Sequence, residues 1–212
     1  MQKVFWDNPY QCDLTTEVSA VDGAWVCFAE TIAYSFSGGQ ESDLAYVNGM
    51  QVIESCIEAK LIYYSLPEMH GLHVGDQVQM NIDWRRRYKL MRLHFAAELI
   101  LELITQRLGF EKVGAHIAED KARIDFCCDR NISPFLDSIL TDYQQIIVQD
   151  AIIKTGFSDI ENQRRYWEIE GIAKVACGGT HVRSTAEVGF VRLKRVNVGK
   201  GKERIEIRLV DA

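Results

Sequence analysis

A change of hydrophobic period near residue 82 constrains this chain more than any other feature. Before it, apolar residues come in short or alternating runs, Ala24 to Phe28, Leu61 to Ser65 and Val78 to Ile82, broken by Gly38-Gly39, Asn48-Gly49 and Gly71. Runs of that length between turn signals read as strands, so this half is mostly β. From Asp83 onward, Tyr88, Met91, Phe95, Leu99 and Leu103, with Ile100 and Ile104 beside them, recur at helical spacing. Asp83 is placed to cap this helix and Gly109 to stop it. One element cannot satisfy both periods, so the chain is expected to divide into residues 1–82 and 83–212.

Beyond the long helix, Lys121 to Phe126 reads as a strand, and Ser133-Pro134 as an N-cap and first-turn proline opening a helix through Ile139, Tyr143, Ile146 and Ile147. Val188 to Val196 and Ile205 to Val210 read as strands, with Asn197 to Lys202 as their hairpin loop. The second half is therefore expected to be α+β, with helices on a largely antiparallel sheet.

The 212 residues are 47% hydrophobic and 25% charged, ordinary values for a soluble domain. No stretch approaches the roughly 18 uninterrupted apolar residues of a membrane span, and the opening MQKVFWDNPYQCDL lacks a secretory apolar run. A cytoplasmic protein without membrane or DNA partners is expected. Cys12, Cys27, Cys56, Cys127, Cys128 and Cys177 follow no framework spacing and read as reduced thiols. A formal charge of −6 argues against indiscriminate nucleic-acid binding, so any contact with RNA must come from a local patch.

Cys177-Gly-Gly-Thr-His181 places a thiolate donor and an imidazole four residues apart, with two glycines that let both side chains face one point. His94 and Glu98, one turn apart on the long helix, are both residue types that ligate zinc. Two such half-sites can make one whole. Each also has a structural reading: a loop thiol and loop histidine, or a packed helix histidine beside a solvated acid.

These segments resemble the free-standing alanyl-tRNA editing proteins, relatives of the editing domain of alanyl-tRNA synthetase. In that family a His-x-x-x-His helix and a later Cys-x-x-x-His loop share one zinc. The run from Cys177 to Gly189 is similar to the family pattern throughout, as are Gly75-Asp76-x-Val78, Asp83-Trp84, Arg87 and Met91-Arg92-x-His94. Thr31-x-x-Tyr34, Ser37-Gly-Gly-Gln40 and Asp43 resemble the glycine-rich motif of the family's N-terminal β-barrel. The resemblance implies a β-barrel-like domain over 1–82 and a two-layer α/β domain over 83–212 that carries the zinc-site helix. It also implies one Zn2+ held by His94, Glu98, Cys177 and His181. Glu98 stands where the family has its second helix histidine, and Phe95 where a small or hydroxylated residue is usual.

Aminoacyl-tRNA is an ester, and a zinc ion with an open position supplies the Lewis acidity its hydrolysis needs. The resemblance implies a deacylase for the alanine tRNA mischarged with serine. A hydroxyl or amide bonding the serine hydroxyl would be left unpaired by alanine, and Thr31 and Gln40 are placed there. Glu98 is expected as fourth ligand or as a catalytic base. For the RNA, Arg85, Arg86, Lys89 and Arg92 on the helix, with Lys200 and Lys202 on the hairpin, are expected to hold phosphates. The competing expectation is a tRNA-binding homologue with lost or altered activity.

Overall fold

The computed structural model describes residues 1–199 and 201–210. These form sixteen strands and four helices in two compact units, one of residues 1–37 with 41–88, the other of residues 38–40 with the chain from 89 onward. The architecture is mixed α/β with mostly antiparallel sheets. No described helix is long and apolar enough to cross a membrane, and all six cysteines are free thiols.

The first unit contains β1 (Gln2–Lys3), α1 (Val4–Asp7), β2 (Asp13–Asp22), β3 (Trp25–Phe28), β4 (Glu30–Thr31), β5 (Ala45–Val47), β6 (Met50–Gln51), β7 (Glu54–Glu58), β8 (Leu61–Ser65) and β9 (Gln77–Ile82). Seven strands form one sheet in the order β6-β5-β9-β2-β3-β8-β7. The ten-residue β2 joins its halves: Asp13–Glu17 pair with β9, and the segment from Val18 to Asp22 pairs with β3 across a register shift. Such a shift bends a strand and curves its sheet towards a half-barrel. Val78, Met80 and Ile82 are buried while Gln77 and Gln79 are exposed, the alternation expected of a sheet with one face in the core. Val26, Phe28, Ile62 and Tyr64 close the same core.

The helix α2 (Trp84–Leu108) has the limits its sequence signals. Asp83 Oδ1 accepts the Arg86 amide at 2.8 Å, and Gly109, at φ 66°, turns the chain out of the helix. Arg87 is fully buried near its start. Its guanidinium forks onto the Asp43 carboxylate and donates to the carbonyls of Ile32 and Pro9, so it is a structural cation.

The second unit continues with β10 (Glu111–Ile117), β11 (Ala122–Cys127), α3 (Ser133–Val148), β12 (Lys154–Asp159), β13 (Arg164–Ile169), β14 (Ala173–Ala176), α4 (Thr185–Val188), β15 (Val191–Asn197) and β16 (Lys202–Leu209). Its sheets are antiparallel, one ordered β10-β11-β16-β15 and the other β12-β13-β14. Two local expectations are corrected. Ser133 is the first residue of α3 rather than its cap, because Ile132 before it already has helical backbone angles and its carbonyl accepts the Phe135 amide at 3.0 Å. The strand expected from Val188 begins at Val191, because residues 185–188 form a helical turn and Gly189 reverses the chain at φ 76°.

Candidate metal centre

In the middle of α2, Leu90, Met91, Leu93, Phe95, Ala96 and Leu99 are all buried, so this stretch is enclosed on most sides and brings His94 into the interior at 3% exposure. The loop after β14 supplies the rest of the cluster. It leaves the sheet through the Cys177 amide, which donates to Arg165 O at 2.9 Å, and it rejoins regular structure at α4. Between those points Cys177 and His181 turn towards His94. His94 Nε2 lies 3.0 Å from Cys177 Sγ, and one ligand atom from each of His94, Cys177 and His181 lies within 4.8 Å of the others.

A glycine makes that approach possible. A Cβ at Gly179 would stand 2.5 Å from His94 Cε1 and 2.6 Å from Nε2, inside contact distance. Gln40 fixes the same loop. Thr180 N–H can only donate, so it orients the Gln40 amide with Oε1 facing it at 3.4 Å, and Nε2 then donates to Thr180 Oγ1 at 3.0 Å. Gln40 reaches this position because Gly38 and Gly39, both at positive φ, run against β10. Ile117 N donates to Gly39 O at 2.7 Å, and a Cβ at Gly39 would meet Ala115 O at 2.6 Å.

The surroundings are dry. Phe95 and Trp167 are fully buried and stand edge to face 5.0 Å apart, with the Phe95 ring 5.9 Å from that of His181. Burial pushes both imidazoles towards the neutral form, His181 furthest, and pushes the Cys177 thiol up, with the Glu98 charge adding to that rise. Buried ring nitrogens at His94 Nδ1 and His181 Nε2 have no hydrogen-bond partner, a condition that buried polar atoms ordinarily avoid. Two neutral imidazoles and a sulfur donor are the ligand chemistry of zinc, and a bound cation would also favour the thiolate. The residues present fit such an ion.

The other expected site residues fall as follows. Glu98 is half-buried one turn beyond His94; its Oε2 accepts the Trp167 indole N–H at 3.3 Å, and its carboxylate is not one of the three grouped donors. Thr31 is in the first unit and fully buried, its hydroxyl bonded to Tyr64 OH at 2.6 Å and accepting the Ala33 amide at 3.1 Å. Arg86 is paired with Glu41, Lys89 with Glu119, and Arg92 donates to Val188 O at 3.0 Å. Arg85 and Lys202 are exposed; Lys200 lies outside the described residues. Thr180 and Trp167 were not singled out in the sequence. The indole N–H of a buried tryptophan needs an acceptor, which was the one available signal for the latter.

Residues 165–206, which include the Cys177 to His181 loop, match the family described as the threonyl and alanyl tRNA synthetase second additional domain. Over nearly its whole length the chain is also similar to free-standing proteins. It is 31% identical to the alanyl-tRNA editing protein AlaX-M of Methanosarcina barkeri, covering 92% of this chain and 93% of that one. It is 29% identical to AlaX-M of Pyrococcus horikoshii, covering 98% and 97%. Against the alanine–tRNA ligase of Methanococcus maripaludis it is 26% identical across 96% of this chain and 25% of the ligase. The chain belongs to the AlaX-M family of alanyl-tRNA editing proteins.

Proposed function

We propose that this chain is a metal-dependent deacylase that acts in trans, in the cytoplasm, on mischarged aminoacyl-tRNA, with Ser-tRNA(Ala) as its main substrate. The grouping of buried His94 and His181 with half-buried Cys177 carries this reading, since it offers a zinc-type donor set beside buried aromatic side chains. A bound zinc ion supplies Lewis acidity for ester cleavage. The remaining work falls to the chain. Gln40 and Thr180 hold the loop that bears two of the donors, and Phe95 and Trp167 exclude water around His181 and strengthen local electrostatics. Glu98 sets a negative charge where both His94 and Cys177 feel it, which favours a cation between them.

Gln40 is the better supported of the two residues assigned to the serine hydroxyl. Its Oε1 lies 3.0 Å from the point where a Gly179 Cβ would stand, itself 2.6 Å from His94 Nε2. Beyond its two bonds to Thr180 the Gln40 amide keeps a second N–H and a second oxygen lone pair, whereas the Thr31 hydroxyl is already engaged by Tyr64 and Ala33.

The test is hydrolysis of Ser-tRNA(Ala) and Ala-tRNA(Ala) by the purified protein, with and without a chelator, alongside its metal content. Ser-tRNA(Ala) should be cleaved in preference, and chelation should stop cleavage. Metal-free protein that hydrolyses at full rate would refute metal dependence. Binding of tRNA without hydrolysis of either ester would establish the non-catalytic alternative.

A further inference from the structure

The sheet β10-β11-β16-β15 has one apolar face and one charged face. Ile124, Val191, Ile205 and Ile207 are buried, and the residues alternating with them along the strands point the other way. On that charged face the register sets Arg192 directly opposite Arg208 and Lys194 opposite Glu206, with Lys202 and Arg204 continuing the β16 row. Two of its acids are already committed. Asp125 accepts both arms of Arg204 at 2.5 and 2.8 Å, and Glu206 takes Lys121 at 2.6 Å. Arg192, Lys194 and Lys202 are exposed and form no ion pair among the described residues.

Like charges directly across an antiparallel pair are destabilising. Asp120, 3.3 Å from Arg208, offsets part of this for one member, while Arg192 has no such partner among the described residues. A concentration of cations at this cost, in a chain of net charge −6, points to an external anion.

We propose that this face is where the tRNA backbone docks. The inference rests on the proposed activity, which makes tRNA the partner, and adds where its phosphates are held. Exposed Arg and Lys rows suit phosphate oxygens, and contacts of this kind position an RNA without reading its sequence. Of the cations on α2, Arg86, Lys89 and Arg92 are weaker candidates, because they already serve acceptors within the protein.

The test measures the affinity of uncharged tRNA for the full chain across a salt series, in wild type and in the triple variant Arg192→Gln, Lys194→Gln, Lys202→Gln. The triple should bind about tenfold or more weakly at low salt, with a log–log salt slope shallower by about two. Its melting temperature should equal or exceed that of wild type, since the like-charge opposition is relieved. Equal affinity and equal slope would overturn the proposal. So would retained tRNA binding alongside lost binding to heparin or duplex DNA, which would assign the face to another polyanion. A small seryl ester of adenosine reads the activity separately: the triple should cleave it at the wild-type rate. If wild type cleaves neither that ester nor Ser-tRNA(Ala), the deacylase reading fails while the docking result still stands on the binding data.

Discussion

Gln40 and Thr180, 140 residues apart in sequence, are joined through both ends of the glutamine amide. Both are buried, so neither polar group can turn to water if the other is removed. Gln40→Ala should cost about 1–3 kcal/mol of stability by orphaning Thr180. It should also weaken metal binding by roughly ten- to a hundredfold, the usual effect of losing a group that orients metal ligands. Thermal melting and titration against a competing chelator measure the two effects. Unchanged metal affinity would show that the loop holds its shape without this clamp.

Gly178 and Gly179 are adjacent, yet they face different surroundings. A Cβ at Gly178 meets nothing within 4 Å, whereas one at Gly179 lands on the His94 ring. Gly178→Ala should therefore leave metal content and melting nearly unchanged. Gly179→Ala should displace His94 and abolish stoichiometric metal binding while the protein stays folded. Circular dichroism with metal analysis separates these outcomes, and full metal occupancy in Gly179→Ala would remove the glycine from the site's construction.

Glu203 and Arg195 form a forked ion pair beside the β15–β16 loop, with one arm at 2.5 Å. The hydrogen bond from Arg195 holds the Glu203 carboxyl below the ordinary glutamate range, against the opposing effect of burial. A depressed folded-state pKa contributes stability fully above the unfolded value of about 4.3 and loses it as pH falls through the folded value. Glu203→Gln should cost about 1–2 kcal/mol at pH 7, discounted because Arg195 is 27% exposed and partly rehydrates. The deficit should shrink below about pH 4, where wild type protonates too. Urea unfolding at pH 7, 4 and 3 measures it, and a deficit independent of pH would rule out the linkage.

How much of this was legible in the sequence depends on the range of each interaction. The limits of α2 were readable because Asp83 and Gly109 act within one helical turn. Cys177 and His181 stand at a readable local spacing, and the resemblance joined His94 to them; these three fall in one group, while Glu98, the other half of the helix spacing, is not among its donors. Strands β12 to β14 were not foreseen; β13 alternates well, with Arg165, Trp167 and Ile169 buried, but one inward residue is an arginine and breaks the apolar pattern. Gln40 was selected for a substrate contact, and its bond to Thr180 was invisible because no local period connects the two. The α2 cations were readable as a cluster, but the acceptors that engage them come from distant segments.

Glu98 allows a sharper test, because its carboxylate has two functions. It accepts the N–H of Trp167, which is fully buried, and its charge acts on both His94 and Cys177. Glu98→Gln keeps an oxygen for the indole and removes the charge. It should leave stability and tryptophan emission close to wild type and lower metal affinity by about ten- to a hundredfold. Glu98→Ala removes both functions, so the same loss of affinity should come with about 1–3 kcal/mol of destabilisation from the orphaned indole. Glu98→His places an imidazole one turn from His94 on the same helix face, and it should retain or tighten zinc binding. Chelator competition on the three variants, read beside their melting curves, separates charge from hydrogen bond. If Glu98→Gln binds zinc as wild type does and only Glu98→Ala is impaired, the charge is irrelevant and Glu98 serves Trp167 alone. If every variant keeps wild-type affinity and turnover, Glu98 is a bystander beside a three-donor site.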